Sequence, residues 1–265
     1  MSPAGMQMRH TSFYDRKKFI LDSLADSKAL PVSEIAAGLP VSGETLRKDL
    51  ILMEQEGLIR RYHGGVALIS QGATEMSIAE RRTIYTATKM KLAEEVYKYL
   101  PKDRNMVLGL DVGNTVWHLA KLLLDRERCT IVTNSQEIVE LYADQSKSEV
   151  YCTGGLLRDY DRGFYGPWTV RNISTASMGA VVLSSAGVKN QNGLGGISFE
   201  DAEAKRAYIK NSALVIAMID SSKFGQSAMV RAVPWEDVDI LVTDRGIPDQ
   251  DREYLEKLVK LAVAD

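Results

Sequence analysis

Apolar residues recur at helical spacing in three short stretches near the N-terminus. Phe19, Ile20, Leu21 and Leu24 lie within residues 16–27, with Lys17 and Lys18 on the other side, which predicts a first helix. Pro31 blocks its continuation, and Ser33 is the expected N-cap of a short helix over 34–37 that Gly38 and Pro40 end. Ser42 caps a third helix whose apolar stripe is Leu46, Leu50 and Met53, stopped by Gly57. Two strand-like runs within 58–68 then flank Gly64-Gly65, a hairpin signal. Three short helices and a hairpin fit a winged helix-turn-helix.

The pattern then changes. Residues 71–74 resemble a linker and 77–89 a polar helical connector, followed by a helix carrying Leu92, Val96 and Leu100 that meets Pro101. Strands are expected at 106–110, 130–132, 149–152, 180–183, 214–219 and 240–242, with helices over 115–125, 135–144, 200–212 and 249–261 between them. Alternating strand and helix predicts a mainly parallel sheet covered on both faces. The expected organisation is a winged helix-turn-helix over 1–68 (ordered from about residue 14), a linker and connector over 69–88, and an α/β domain over 89–265.

Composition narrows the class. The chain has 265 residues, 45% apolar and 26% charged, which excludes disordered and collagen-like structure. Its longest apolar run, Ala213 to Ile219, is too short to cross a bilayer, and Met1 to Arg9 lack the layout of a signal peptide. The two cysteines, Cys129 and Cys152, make no disulfide framework and are expected as reduced, half-buried thiols. A cytoplasmic protein without membrane partners is the expectation. Residues 1–65 carry 9 Lys+Arg against 8 Asp+Glu, and the rest of the chain 24 against 27, so bulk charge announces no nucleic-acid binder. Any case for DNA rests on local pattern.

That pattern is present on the third helix. Glu44, Arg47 and Lys48 share the face opposite the apolar stripe, with Thr45 near the helix start. A recognition helix needs this division: apolar positions dock it, and polar groups face base edges. Arg makes bidentate contacts to guanine and Lys serves as a point charge. Arg60, Arg61 and His63, entering the hairpin with Gly64, are placed to reach phosphate or the minor groove, and Ser42 completes the expected DNA-binding set. The stretch from Val41-Ser42 through Thr45-Leu46-Arg47-Lys48-Asp49-Leu50 to Gly57 and His63-Gly64-Gly65 resembles the DNA-binding signature of the DeoR family of bacterial transcriptional regulators. Gly43 and Lys48 depart from it, where the family more often has a stronger helix former and Arg.

Four polar turns follow the expected strands of the second domain. Asp111-Val112-Gly113-Asn114-Thr115 opens a helix, whose free N–H groups and neighbouring glycine suit an anion. Thr133-Asn134-Ser135, Thr153-Gly154-Gly155 and Asp220-Ser221-Ser222-Lys223-Phe224 complete the series on the sheet edge where open parallel sheets bind ligands. Lys223 supplies positive charge to a phosphate in this reading, and Asp111 and Asn134 bond sugar hydroxyls. These turns, together with Glu200 to Arg206, also resemble the effector domain of the same family, which belongs with the sugar-phosphate isomerase-like fold. The resemblance runs from about residue 14 to 245 and implies a ligand-responsive regulator, usually a repressor, of a carbohydrate-utilisation operon, whose effector is a phosphorylated sugar or polyol. The expected effector set is Asp111, Gly113, Asn114, Thr115, Thr133, Asn134, Gly154, Gly155, Lys205 and Lys223. Asp111 to Ala120 is also similar, more narrowly, to regulators of L-fucose utilisation, with Trp117 read as packing.

Two other classes of protein fit parts of the pattern. A sugar-phosphate isomerase-like enzyme with an accessory winged domain needs an acid or base beside the sugar carbons, and the loop 184–188 contains no carboxylate. No catalytic residue, metal site or cofactor is expected, since only His10, His63 and His118 are available and no metal-spaced cluster occurs. A module that binds protein and never DNA would show an apolar face where Glu44, Arg47 and Lys48 stand. The expected partners are therefore double-stranded operator DNA, the phosphorylated effector and further copies of the chain, as a homodimer or homotetramer.

Overall fold

The computed structural model describes residues 12–27, 29–55, 58–62, 65–68, 86–102, 106–126, 129–143, 147–190 and 192–265. The chain divides into two compact units, residues 1–75 and 76–265. Gly57, His63, Gly64, the linker and most of the connector lie outside the described residues.

The first unit contains α1 (Phe13–Ser27), β1 (Ala29–Pro31), α2 (Val32–Ala37), α3 (Gly43–Gln55), β2 (Ile59–Tyr62) and β3 (Gly65–Leu68). Ser12 starts α1: its hydroxyl accepts from Asp15 N at 3.2 Å, while its own N–H donates to Asp15 Oδ2 at 3.1 Å, a reciprocal cap. Ser33 does not cap α2, which begins a residue earlier, after Pro31. The fixed φ of Pro31 suits both the extended strand β1 and the helix entry, so the two elements meet without a side-chain cap. β1, which the sequence pattern did not reveal, pairs with β3 and completes a sheet of order β1-β3-β2 around the expected hairpin. Ile20, Leu24, Ile35, Leu46, Leu50 and Met53 are buried together with Ile59 and Val66, so the three helices and the wing share one core.

In the second unit α4 (Thr86–Tyr99) precedes β4 (Val107–Leu110), α5 (Asn114–Arg126), β5 (Thr130–Thr133), α6 (Gln136–Ala143) and β6 (Glu149–Cys152). The hairpin β7 (Leu156–Arg158) and β8 (Gly163–Tyr165) and helix α7 (Pro167–Ser174) follow, then β9 (Ala180–Leu183), β10 (Gly193–Gly196) and α8 (Phe199–Lys210). The chain ends with β11 (Val215–Met218), a single turn at Ser221–Gly225, β12 (Val230–Pro234), β13 (Ile240–Asp244), α9 (Asp249–Leu255) and β14 (Lys260–Ala264). Seven strands form a parallel sheet in the order β14-β13-β11-β9-β4-β5-β6. The period-2 alternation of strands divides its side chains between two cores. Val181, Leu183, Val215 and Ala217 face one, and Ala180, Val182, Ile216 and Met218 the other.

Several expectations are corrected here. The helix expected over 249–261 stops at Leu255, and its last residues form β14 beside β13. β7, β8, α7, β10 and β12 fall in stretches to which the sequence pattern assigned no element. Cys129 is buried and Cys152 exposed, so neither is a half-buried thiol. Among the described residues, no helix is long and apolar enough to cross a membrane.

The strand order fixes where a ligand can sit. From β4 the chain moves outward through β5 and β6, then returns to the other side of β4 as β9. The loops after β4 and β9 therefore diverge, and the crevice between them at the carboxyl ends is the topological switch point.

Candidate functional site

In the first unit, Ser42 caps α3 as expected: its hydroxyl accepts from Thr45 N at 3.2 Å and lies 2.9 Å from Thr45 Oγ1. Burying Leu46, Leu50 and Met53 turns the opposite face outward, and Glu44, Arg47 and Lys48 are exposed. Lys48 Nζ stands 4.0 Å from Glu44 Oε1, a loose surface pair one helical turn apart. Arg61 makes a bond within the first unit. Its guanidinium donates to Glu54 Oε2 at 2.8 Å and its backbone N–H to Glu54 Oε1 at 2.8 Å, so the side chain is drawn back to α3. Arg60 is in β2, its side chain outside the described set, as are His63 and Gly64. Asp49, not singled out in the sequence, is buried in a two-point pair with Arg16, whose Nε and Nη2 donate at 2.5 Å and 2.8 Å.

In the second unit the switch point holds a buried charge cluster. Asp111 follows β4 and Lys205 projects from α8; Lys205 Nζ lies 2.5 Å from Asp111 Oδ2 and 3.0 Å from Asp201 Oδ1. None of the three side chains is more than 5% exposed. Ser184, just after β9, presents its N–H and hydroxyl to Asp111 Oδ2, both at 3.0 Å. Burial alone would drive the Lys205 ammonium toward neutrality, but Asp111 and Asp201 outweigh it and raise its pKa. Burial pushes the Asp111 carboxyl up as well, with Lys205 opposing. Lys205, expected as an effector contact, is thus enclosed between two carboxylates.

The hairpin β7–β8 is tied to the start of α8 in the same region. Arg158 bonds both oxygens of Asp161, at 3.0 Å and 2.6 Å, and donates to Ser198 Oγ at 2.8 Å. Its guanidinium stacks 3.9 Å from the Tyr165 ring centre, and Tyr165 donates to Asp161 Oδ2 at 2.7 Å. Burial first, then Asp201, Asp161 and Asp111, hold the Tyr165 phenol above its ordinary pKa, so it stays protonated. Sequence reading missed this group, although Asp201 stands four residues before Lys205, the helical spacing of an ion pair. Glu200, which the family pattern had picked out, is exposed.

The other expected effector residues divide into two sets. Among the described residues, Asp111 Oδ1 and Asn114 Oδ1 are buried on the carboxyl edge without a hydrogen-bond partner, as are Thr153 Oγ1, Gln136 Oε1 and Thr243 Oγ1, which were not among the expected contacts. Thr115 is buried in the first turn of α5, and Gly113 lets that turn approach β9, since a Cβ there would meet Ser184 Cβ and Oγ at 2.8 Å. Gly154 and Gly155 both adopt positive φ, and a Cβ on Gly155 would lie 2.2 Å from Thr169 Oγ1. Thr133 and Asn134 also reach the edge, where their polar atoms make bonds within the fold. Thr133 Oγ1 donates to Leu110 O at 2.7 Å and accepts from Ser135 N at 3.0 Å. Asn134 donates to Phe164 O and accepts from Tyr208, both at 3.3 Å. Lys223 follows β11, two strands or roughly 10 Å from β4, and donates to Gln226 Oε1 at 3.1 Å. A hollow of about 290 Å³ floored by Val188, Phe224, Trp235 and Leu255 lies outside this cluster.

Comparison with known proteins adds a lineage to this geometry. Residues 16–72 match the DeoR-like helix-turn-helix domain and residues 85–245 the DeoR C terminal sensor domain. A glycerol-3-phosphate regulon repressor of Haemophilus influenzae is 32% identical over 92% of this chain and 95% of its own length. An uncharacterized HTH-type transcriptional regulator of Bacillus subtilis, YulB, is 31% identical over 93% of this chain and 95% of its own. The L-fucose operon activator of Haemophilus influenzae is 27% identical over 91% of this chain and 96% of its own. Among solved structures, ribose 5-phosphate isomerase A of Methanocaldococcus jannaschii superposes with a TM-score of 0.37 at 18% identity, over 51% of this chain and 52% of that one. With a helix-turn-helix match at one end and a sensor-domain match at the other, the chain belongs to the DeoR family of transcriptional regulators.

Proposed function

We propose that this regulator represses a carbohydrate-utilisation operon and that a phosphorylated sugar or polyol changes its grip on operator DNA. In this reading residues 1–68 form the DNA-binding head, 69–88 connect it, and 89–265 form the sensor. The names of its relatives, which include a glycerol-3-phosphate regulon repressor and an L-fucose operon activator, support a small phosphorylated carbohydrate as effector.

One observation carries the reading: the buried Asp111–Lys205–Asp201 cluster leaves Asp111 Oδ1 without a partner at the switch point. An unsatisfied buried carboxylate oxygen costs free energy, and a ligand hydroxyl restores the missing bond. Asn114 Oδ1 and Thr153 Oγ1 extend the same demand along the edge. The phosphate falls to the free N–H groups that open α5 at Asn114 and Thr115, to the backbone at Gly154 and Gly155, and to Lys223 on the rim. Lys205 acts from behind, opposing the effect of burial on the Asp111 carboxyl and aiming it.

The head meets DNA through the outer face of α3, with Arg47 and Lys48 toward the bases, Glu44, Thr45 and Ser42 at the helix start, and Arg60, His63 and Gly64 at the wing. One head specifies little sequence, so a homodimer or homotetramer engages repeated half-sites in the cytoplasm.

Fluorescence anisotropy tests the reading. A duplex enriched by the full chain from a random pool is titrated with protein, with and without phosphorylated sugars and polyols, glycerol 3-phosphate among them, and their unphosphorylated counterparts. At least one phosphorylated compound shifts the affinity and its counterpart does not. A chain that enriches no duplex, or an affinity indifferent to every compound, defeats the reading.

A further inference from the structure

Two arginine–carboxylate pairs among the described residues of the first unit end on α3, and they do so on opposite sides of it. At about 100° per residue, Asp49 lies about 60° to one side of Leu46 and Glu54 about 80° to the other. Leu46, Leu50 and Met53 run between them into the core. Arg16 reaches Asp49 from α1, at 2.5 Å and 2.8 Å, with the two side chains 13% and 5% exposed. Arg61 reaches Glu54 from β2 with both its guanidinium and its backbone N–H, each at 2.8 Å. An apolar stripe alone resists rotation of a helix weakly, because neighbouring apolar groups slide past one another at small cost. Two two-point contacts on opposite flanks, one a bidentate ion pair and the other an ion pair joined by a backbone N–H, do not.

We propose that Arg16 and Arg61 are positioning residues for DNA reading: by clamping Asp49 and Glu54 they fix the rotation of α3 about its axis, and so the direction in which Arg47 and Lys48 face. The inference rests on the reading of α3 as the DNA-contacting helix. A rotation of 20° would carry a side-chain tip about 2 Å sideways. That exceeds what a bidentate hydrogen bond to a base edge tolerates. The clamp therefore governs specificity more than total attraction, since phosphate contacts are spread widely and survive small displacements. It also explains why Arg61, beside Arg60 in a basic pair, turns to α3.

The test compares Arg16→Met, Arg16→Lys and the exchanged pair Arg16→Asp with Asp49→Arg, all in the full chain. Each is titrated with the duplex enriched by wild-type protein and with a scrambled duplex of equal length, over a series of salt concentrations. Arg16→Met loses affinity for the enriched duplex by tenfold or more and for the scrambled duplex by less than twofold. Its salt slope stays at the wild-type value, because no phosphate contact has been removed. Arg16→Lys and the exchanged pair recover part of the preference and show that a fold able to bind persists. Equal losses on both duplexes, a slope reduced by about one unit, or an unchanged preference in Arg16→Met would each overturn the proposal. Failure of both Arg16→Lys and the exchanged pair to recover any preference would do the same. A wild-type chain that enriches no sequence defeats the DNA reading itself and takes this inference with it.

Discussion

Replacing Lys205 with Met removes one charge from a buried cluster and almost no volume, so the result isolates electrostatics from packing. The ammonium is shared by Asp111, at 2.5 Å, and Asp201, at 3.0 Å, in a site the solvent does not reach. Breaking a buried pair by removing one partner costs about 3–5 kcal/mol, because the remaining charge is left uncompensated. Here two carboxylates remain, so the loss should fall at the upper end of that range. The protein can relieve it by protonating one of them, which gives the variant a signature in pH. A carboxyl whose folded pKa is raised binds its proton in the folded state before the unfolded one. Stability therefore falls as pH rises between the two values, by about 1.4 kcal/mol per pH unit for one proton. For Lys205 in the wild type the sign is the same and the window lies higher. Lys205 has its pKa raised above the ordinary 10.5, so its contribution is complete below that value and is lost only as pH climbs beyond it.

Urea unfolding followed by tryptophan fluorescence is the suitable assay, because Trp117, Trp168 and Trp235 all lie in the second unit. Lys205→Met should unfold at lower urea than wild type at pH 7 and recover as the solution is acidified toward about pH 5. Adding Asp111→Asn to the variant should restore part of the loss at pH 7. A loss below about 1 kcal/mol, the same at every pH, would refute the picture of a desolvated cluster.

Further outcomes follow from other contacts. Arg47→Ala should weaken binding to the enriched duplex by about 1–3 kcal/mol and relax preference at one base position; a uniform loss on all sequences would assign Arg47 to phosphate. Gly155→Ala should abolish the effector response, because the new Cβ meets Thr169 Oγ1 at 2.2 Å and Tyr165 O at 2.5 Å in a backbone of φ +118°; an unchanged response would remove this turn from the site. Leu50→Ala should destabilise the head by about 2–5 kcal/mol, read as lost helical circular dichroism on heating, and leave tryptophan-monitored unfolding of the second unit in place.

The elements with strong periodicity were legible in the sequence. α1, α3 and the strands β4, β5, β6, β9, β11 and β13 fall where alternating or 3.6-residue patterns put them, and Ser42 caps α3 as its type and position imply. The missed strands share a physical reason. β1 is three residues long and ends in proline, β10 reads Gly193-Leu194-Gly195-Gly196, and β7 and β8 are three residues each, so none shows a period. β14 reads Lys260-Leu261-Ala262-Val263-Ala264, and following a charged helix directly, it passed as that helix's last turn. At the site, local pattern located Asp111 and Lys205 but not their pairing, which joins residues 94 apart in sequence. Ser184 was invisible for the same reason, as was the bond from Arg158 to Ser198. Thr133 and Asn134 were picked out by type, but type does not reveal their bonds to Leu110, Phe164 and Tyr208, which come from other elements.

The central claim is that the switch-point cluster of the second unit and the α3 face of the first are thermodynamically linked. Linkage is reciprocal: if the effector changes DNA affinity by some factor, DNA changes effector affinity by the same factor. Calorimetric titration of the active phosphorylated compound into the full chain, alone and saturated with the enriched duplex, measures this directly. The account predicts two different dissociation constants whose ratio equals the effector-induced change in DNA affinity. Equal constants would contradict it.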